Sequence, residues 1–245
     1  MKYLIAILFW VATTIFSGAE TVRVAVAANF TQTAKEIGRA FEKNTKHSAL
    51  FSFGSTGLLY TQISQQAPFH IFLAADQDRP QMAIEAGLAA PESRFTYAKG
   101  KIVLYSKDPN LIKDKQSLIQ NNIRKIAIAN PATAPYGKAA IEVMERLGVH
   151  NIISDKLVLG NNIAQTYQFV QTENAEIGFI SLSQVISHNE GARWIIPDHL
   201  YTEVAQDAVI LTPGAANTAA HSFLNFLKGP IAKEIIEKYG YGYDG

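Results

Sequence analysis

Four short segments set small or polar residues immediately before a helix-like pattern. They are Ala28-Asn29-Phe30, Gly54-Ser55-Thr56-Gly57, the run from Asn130 to Gly137 (NPATAPYG), and Gly160-Asn161-Asn162-Ile163. A helix start carries unpaired N–H groups and the positive end of the helix dipole, and glycine lets an anion come close to that backbone. The Asn29 amide and the hydroxyls of Ser55, Thr56 and Tyr136 add neutral donors. Taken singly, each segment reads equally as an N-cap or a turn. Taken together, four helix starts would build a site for a compact anion. None of the four contains Lys, Arg, Asp, Glu or His. Neutral donors suit a fully ionised oxyanion, whereas a protonated one such as hydrogen phosphate also calls for an acceptor. Sulfate, molybdate, tungstate and chromate are the candidates.

Other chemistries find little support. The 245 residues include no cysteine, which excludes thiolate metal sites, a cysteine nucleophile and disulfides. The histidines at 47, 70, 150, 188, 199 and 221 never fall at close metal-ligand spacing. No G-x-S-x-G elbow or Walker A sequence occurs, so a hydrolase acting through Ser55 is a minor alternative and nucleotide binding finds no P-loop. With 22 basic and 21 acidic residues, the net charge of +1 gives no field for gripping nucleic acid. No cofactor is expected.

Lys2, the apolar run Tyr3 to Phe16, and Ser17-Gly18-Ala19 have the layout of a secretory signal peptide, with cleavage expected before Glu20. Removing residues 1–19 takes Lys2 away and leaves 21 basic against 21 acidic side chains. The expectation is an exported protein retained in a periplasm.

From Thr21 onward, β-like runs alternate with helical patterns. Strands are expected at Thr21 to Ala27, Ala49 to Phe53, Ile71 to Ala74, Lys101 to Ser106, Arg124 to Ala129, Glu176 to Ile180, Trp194 to Ile196 and Val204 to Leu211. Helices are expected from Phe30, at Leu58 to Gln66, Pro80 to Ala86, Tyr136 to Leu147, Ile163 to Gln171, Asn217 to Leu227 and Pro230 to Tyr239. This order predicts an α/β protein of two lobes, each a mainly parallel sheet flanked by helices, with the ligand cleft between them. Extended stretches near Ser106 to Asn110 and near Asp198 to Gln206 are the expected crossings, giving lobe 1 as 20–105 and 202–245 and lobe 2 as 106–201.

The sequence resembles the molybdate-binding proteins of bacterial molybdate ABC importers, within the two-lobed periplasmic substrate-binding superfamily. The resemblance runs from about Thr21 to Gly240 and rests on AVAANFTQTAKEI (25–37), FSFGSTGLLYTQI (51–63), APFHIFLAAD (67–76), NPATAPYGKAA (130–140), NAEIGFISLSQV (174–185) and FLNFLKGPIAKEIIEKYGY (223–241). It implies a non-enzymatic monomer that captures molybdate or tungstate and delivers it to a membrane permease with its ATPase. It also implies ligand roles: a donor at Asn29, a hydroxyl from Ser55 or Thr56, and main-chain N–H groups at Tyr136 and Ile163. Ser181 stands where some members place a ligand-contacting tyrosine, so either Tyr136 substitutes for that tyrosine or Ser181 is a donor or a spectator. Molybdenum is expected only within the oxyanion, with no protein ligand on the metal. His70 replaces the acidic residue common in the APFHIF run and is read as structural. Tyr239, Tyr241 and Tyr243 are read as the end of a docked helix and a short tail, away from the cleft.

Overall fold

The computed structural model describes residues 18–187 and 190–243. Of the leader expected at 1–19, residues 1–17 lie outside the described residues, and none of the described helices is long and apolar enough to cross a membrane.

The valine-rich run Thr21–Ala27 forms β1, paired in parallel with β2 (Ser48–Gly54) on one side and β3 (Ile71–Leu73) on the other. Between these strands run α1 (Thr31–Asn44) and α2 (Thr56–Ser64), and α3 (Asp78–Glu85) follows β3. The chain continues through β4 (Phe95–Gly100), β5 (Ile102–Ser106), β6 (Ile126–Ala129), α4 (Pro135–Arg146), α5 (His150–Ile153) and β7 (Leu157–Gly160). It ends with α6 (Ile163–Gln171), β8 (Ile177–Ser181), β9 (Ala192–Ile195), β10 (Val204–Ile210), α7 (Thr218–Leu227) and α8 (Pro230–Lys238). β4 and β7 are strands that the sequence pattern did not announce.

Two five-stranded sheets result, ordered β2-β1-β3-β10-β4 and β7-β6-β8-β5-β9. They are mixed rather than mainly parallel: β10 runs antiparallel to β3 and β4, and β5 runs antiparallel to β8 and β9. The reason is topological. The strands on either side of each crossing, β4 and β5 and then β9 and β10, supply every antiparallel pair. The first crossing is the single residue Lys101, so Ile102–Ser106 lies inside the second sheet and lobe 2 begins near 102 rather than at 106. The run FTYAKGKIVLYS has no compositional break to mark it. The second crossing occupies 196–203.

Each lobe has its own apolar core. In lobe 1, Val22, Val24 and Val26 of β1 pack with Ile37 and Phe41 of α1 and with Phe223 and Leu227 of α7, and the Phe41 ring meets Phe223 edge-on at 5.2 Å. In lobe 2, Ile126 and Ile128 of β6 pack with Ala140, Val143 and Met144 of α4 and with Phe179 of β8. Burying such side chains contributes roughly 1.5–3 kcal/mol each and fixes which face of every helix meets its sheet. Lobe 1 also holds a buried ion pair, Arg94 Nε to Asp207 Oδ2 at 2.6 Å, at the point where the β10–β4 register shifts between Gln206 and Asp207.

Register then sets up the site. Ala27 pairs with Gly54, and Ala129 pairs with Gly160, so in each lobe the carboxyl ends of two parallel strands finish level. The helix starts that follow them therefore lie side by side. In α/β sheets this is the edge at which ligands bind.

Candidate functional site

A small cavity lies between the lobes, lined by Ala27, Ala28, Asn29, Gly54, Ser55, Thr56 and Ala75 from lobe 1 and by Ala134, Pro135, Tyr136 and Ile163 from lobe 2. Its volume is about 10 Å³, of the order of one water-sized sphere. The structure thus gathers five of the six residues singled out in the sequence, and the lining has no charged side chain.

Each helix start leaves a specific donor over. On α2, Ser55 is the N-cap with extended backbone (φ −69°, ψ 146°), yet its side chain makes no capping bond. Its Oγ is buried with no hydrogen-bond partner, one of two such side-chain atoms among the described residues. The other, Thr33 Oγ1, is outside the cavity lining. The neighbouring Thr56 Oγ1 is engaged, accepting from Ala75 N at 3.1 Å. Of the two hydroxyls left open by the sequence, Ser55 is the one without a protein partner.

On α4, Pro135 occupies the first helical position and has no N–H, while Ala134 offers no side-chain cap. The next N–H, that of Tyr136, is the first main-chain donor of the helix. Gly137 lets this turn sit close over β6, because a Cβ there would lie 2.1 Å from Ala129 O. On α6 the Asn162 side chain accepts from Ala164 N and Gln165 N, both at 3.0 Å. That cap passes over the first helical residue, Ile163, which lines the cavity.

Asn29 plays a different part from the one its amide suggested. Nδ2 donates to Gln206 Oε1 at 2.9 Å and to Tyr241 Oη at 3.1 Å, so the side-chain donors are committed within lobe 1. Asn29 still lines the cavity, in the turn Ala28–Phe30 that precedes α1. Of the roles left open for Ser181, the structure fits the spectator. It is not part of the lining; its Oγ donates to Tyr136 Oη at 3.1 Å and shares a hydrogen bond with Ser183 Oγ at 2.8 Å. The Tyr136 hydroxyl in turn accepts from Gln206 Nε2 at 3.4 Å. Tyr136 thus points its hydroxyl away into the protein and its main chain toward the cavity.

A buried, uncharged network therefore backs the site and crosses the lobes. Ser183 Oγ donates to Asn29 O at 2.9 Å, and Tyr241 Oη donates to that same carbonyl at 2.8 Å. Tyr97 Oη donates to Ala74 O at 2.9 Å. Burial pushes the phenols of Tyr97 and Tyr136 well above their ordinary range, and that of Tyr241 up to about 12, so all three stay neutral. Tyr241 is not tail filler: its hydroxyl reaches the back of the site.

A model of the bacterial extracellular solute-binding proteins matches residues 22–242. The chain belongs to this family. Among members, the molybdate-binding protein ModA of Rhodobacter capsulatus is 51% identical over 92% of this chain and 89% of its own length. ModA of Azotobacter vinelandii is 49% identical over 91% of this chain and 90% of its own length. The solved Azotobacter vinelandii periplasmic molybdate-binding protein superposes with a TM-score of 0.89 at 36% identity, over 91% of this chain and all of that one. The architecture is the two-lobed fold of periplasmic binding proteins. For a solute-binding protein, the cavity between the lobes is where the solute sits.

Proposed function

We propose that this chain captures molybdate, and tungstate with it, and delivers the anion to a membrane importer driven by an ATPase. One observation carries the reading: the Ser55 hydroxyl, buried and without a partner, belongs to a small neutral cavity lined also by Asn29, Tyr136 and Ile163, residues at three further helix starts. Donors without a matching acceptor suit a fully ionised oxyanion, and a dry enclosure strengthens each bond to it. The relatives named above supply the choice of molybdate among oxyanions. The protein acts as an exported monomer, with 1–19 as its leader and the periplasm as its compartment.

Hydrolysis by Ser55 is disfavoured on geometry. A serine nucleophile needs a base within hydrogen-bond reach, and Ser55 Oγ has no partner. The test is calorimetric titration of residues 20–245 with molybdate, tungstate, sulfate and phosphate at neutral pH. Heat from the first two alone is expected. Equal binding of sulfate would overturn the selectivity, and silence from all four would overturn the reading.

A further inference from the structure

Outside the cavity, the cleft opens into a larger groove of about 580 Å³, and the two share Ala75, Ala134 and Pro135 as a common wall. Thr56 and Ala134 line the inner cavity, while their chain neighbours Gly57 and Thr133 line the groove. Between them the lobes touch. Gly57 N in lobe 1 donates to Thr133 O in lobe 2 at 2.8 Å. Beside it Arg79 Nη2 donates to Ala132 O at 3.2 Å, while Nη1 of the same guanidinium pairs with Asp76. The Arg79 main-chain N–H also donates to Asp76 Oδ1 at 3.1 Å, so the side chain is anchored to its own lobe at the start of α3.

We propose that Gly57 and Arg79 are positioning residues that set how long the oxyanion stays bound: they hold the Ala132–Thr133 loop across the boundary between cavity and groove without touching the ligand. This rests on the oxyanion-binding reading above. The absence of a side chain at 57 is what allows the approach. A Cβ there would lie 3.0 Å from Thr133 Cα and 3.1 Å from Thr133 O, main-chain atoms of the opposite lobe. Only a slight parting of the lobes relieves that contact. Within its own lobe the added methyl meets only Arg79 Nη2, at 3.0 Å, the far end of a flexible side chain that can shift, and Gly57 sits inside α2, where alanine is the better helix former. Gly57→Ala therefore pulls two measurable properties in opposite directions. Arginine is needed at 79 because its fork reaches the Asp76 carboxylate and the Ala132 carbonyl together, which one ammonium does poorly.

Stopped-flow binding of molybdate, with the ligand-free melting temperature measured alongside, tests this on Gly57→Ala, Arg79→Ala and Arg79→Lys. The expected result is dissociation faster by roughly three- to tenfold in Gly57→Ala and Arg79→Ala, the kinetic equivalent of one lost hydrogen bond. Arg79→Lys should recover only part of the loss. Association should be nearly unchanged, and ligand-free Gly57→Ala should melt no lower than the parent protein. If the parent binds molybdate and both alanine variants release it at the parent rate, the latch is wrong and the site stands. If the parent binds none of the oxyanions, both readings fall together.

Discussion

Asn29 Nδ2 donates to Gln206 Oε1 over 2.9 Å, joining the turn that lines the cavity to a fully buried side chain on β10. Gln206 fills both ends of its amide, since Nε2 reaches the Tyr136 hydroxyl of the other lobe while Oε1 also accepts from Tyr97. Replacing it with leucine strands an Asn29 donor in a dry interior, at a cost of about 1–3 kcal/mol of stability. Molybdate affinity should fall as well, because the Asn29 turn loses its support. Gln206→Glu separates electrostatics from packing: the carboxylate keeps the acceptor role but places negative charge behind a dianion. Calorimetry should show Gln206→Glu binding more weakly than Gln206→Leu; the reverse order would mean that the network holds shape alone.

Ser55 and Thr56 are adjacent hydroxyls with opposite duties, and substitution should separate them. Ser55 Oγ is an unsatisfied buried group in the protein alone, so Ser55→Ala should leave the ligand-free melting temperature unchanged or raise it. The same change removes a donor to a charged ligand, about 1.5–3 kcal/mol or more than tenfold in affinity. Thr56→Val keeps the shape but removes the acceptor for Ala75 N, so its loss should appear in stability. Parallel melting curves and molybdate titrations check both; a destabilised Ser55→Ala with full affinity would remove Ser55 from the site.

What was readable in the sequence depended on how local its cause is. The helix starts at Ser55, Tyr136 and Ile163 follow from residues within a few positions of each other: a glycine, a proline at the first turn, an asparagine cap. Their convergence follows from strand alternation and parallel register. Gln206 goes unmarked and Tyr241 reads as tail away from the cleft because their partner, Asn29, is 177 and 212 positions away, and a glutamine in a strand carries no local mark. The same distance effect misassigned the Asn29 amide, which looks free until β10 and the C-terminal tail arrive beside it. The lobe boundary was placed late at 106 because one residue between two strands leaves no compositional trace.

His70, the departure from the acidic residue in its motif, has a structural duty that can be measured. Its Nδ1 accepts from Arg23 N at 3.3 Å at the entry to β1, which requires the ring to be neutral there. Burial first, then the Arg23 charge, lowers its pKa from 6.5. A base whose pKa is lower folded than unfolded binds more protons unfolded, so the protein should lose stability as pH falls through about 6.5. The carboxylates lowered by their partners, Glu36, Glu176 and Asp198, act at more acid pH. The decline in melting temperature between pH 7.5 and pH 5.5 should therefore shrink in His70→Asn, which keeps an acceptor but does not titrate. An unchanged decline would move the effect elsewhere.

Ligand binding should behave differently from stability over the same range. The cavity lining contains one titratable side chain, Tyr136, and burial holds its hydroxyl neutral far past its usual pKa. Asp76 is next to the lining residue Ala75. Burial raises its pKa from 3.8 against the pull of Arg79, and its side chain is not part of the lining. With a fully ionised oxyanion and donors that do not titrate, affinity should be flat between about pH 6 and about pH 9. A site built on lysine, histidine or a protonated carboxyl would instead lose roughly tenfold per pH unit beyond that group's pKa. Molybdate titrations across the range, in buffers of different ionisation heat, check both the affinity and the number of protons exchanged. A proton taken up or released near pH 7 would show that a charged side chain reaches the ligand, and the neutral-donor model would fail there.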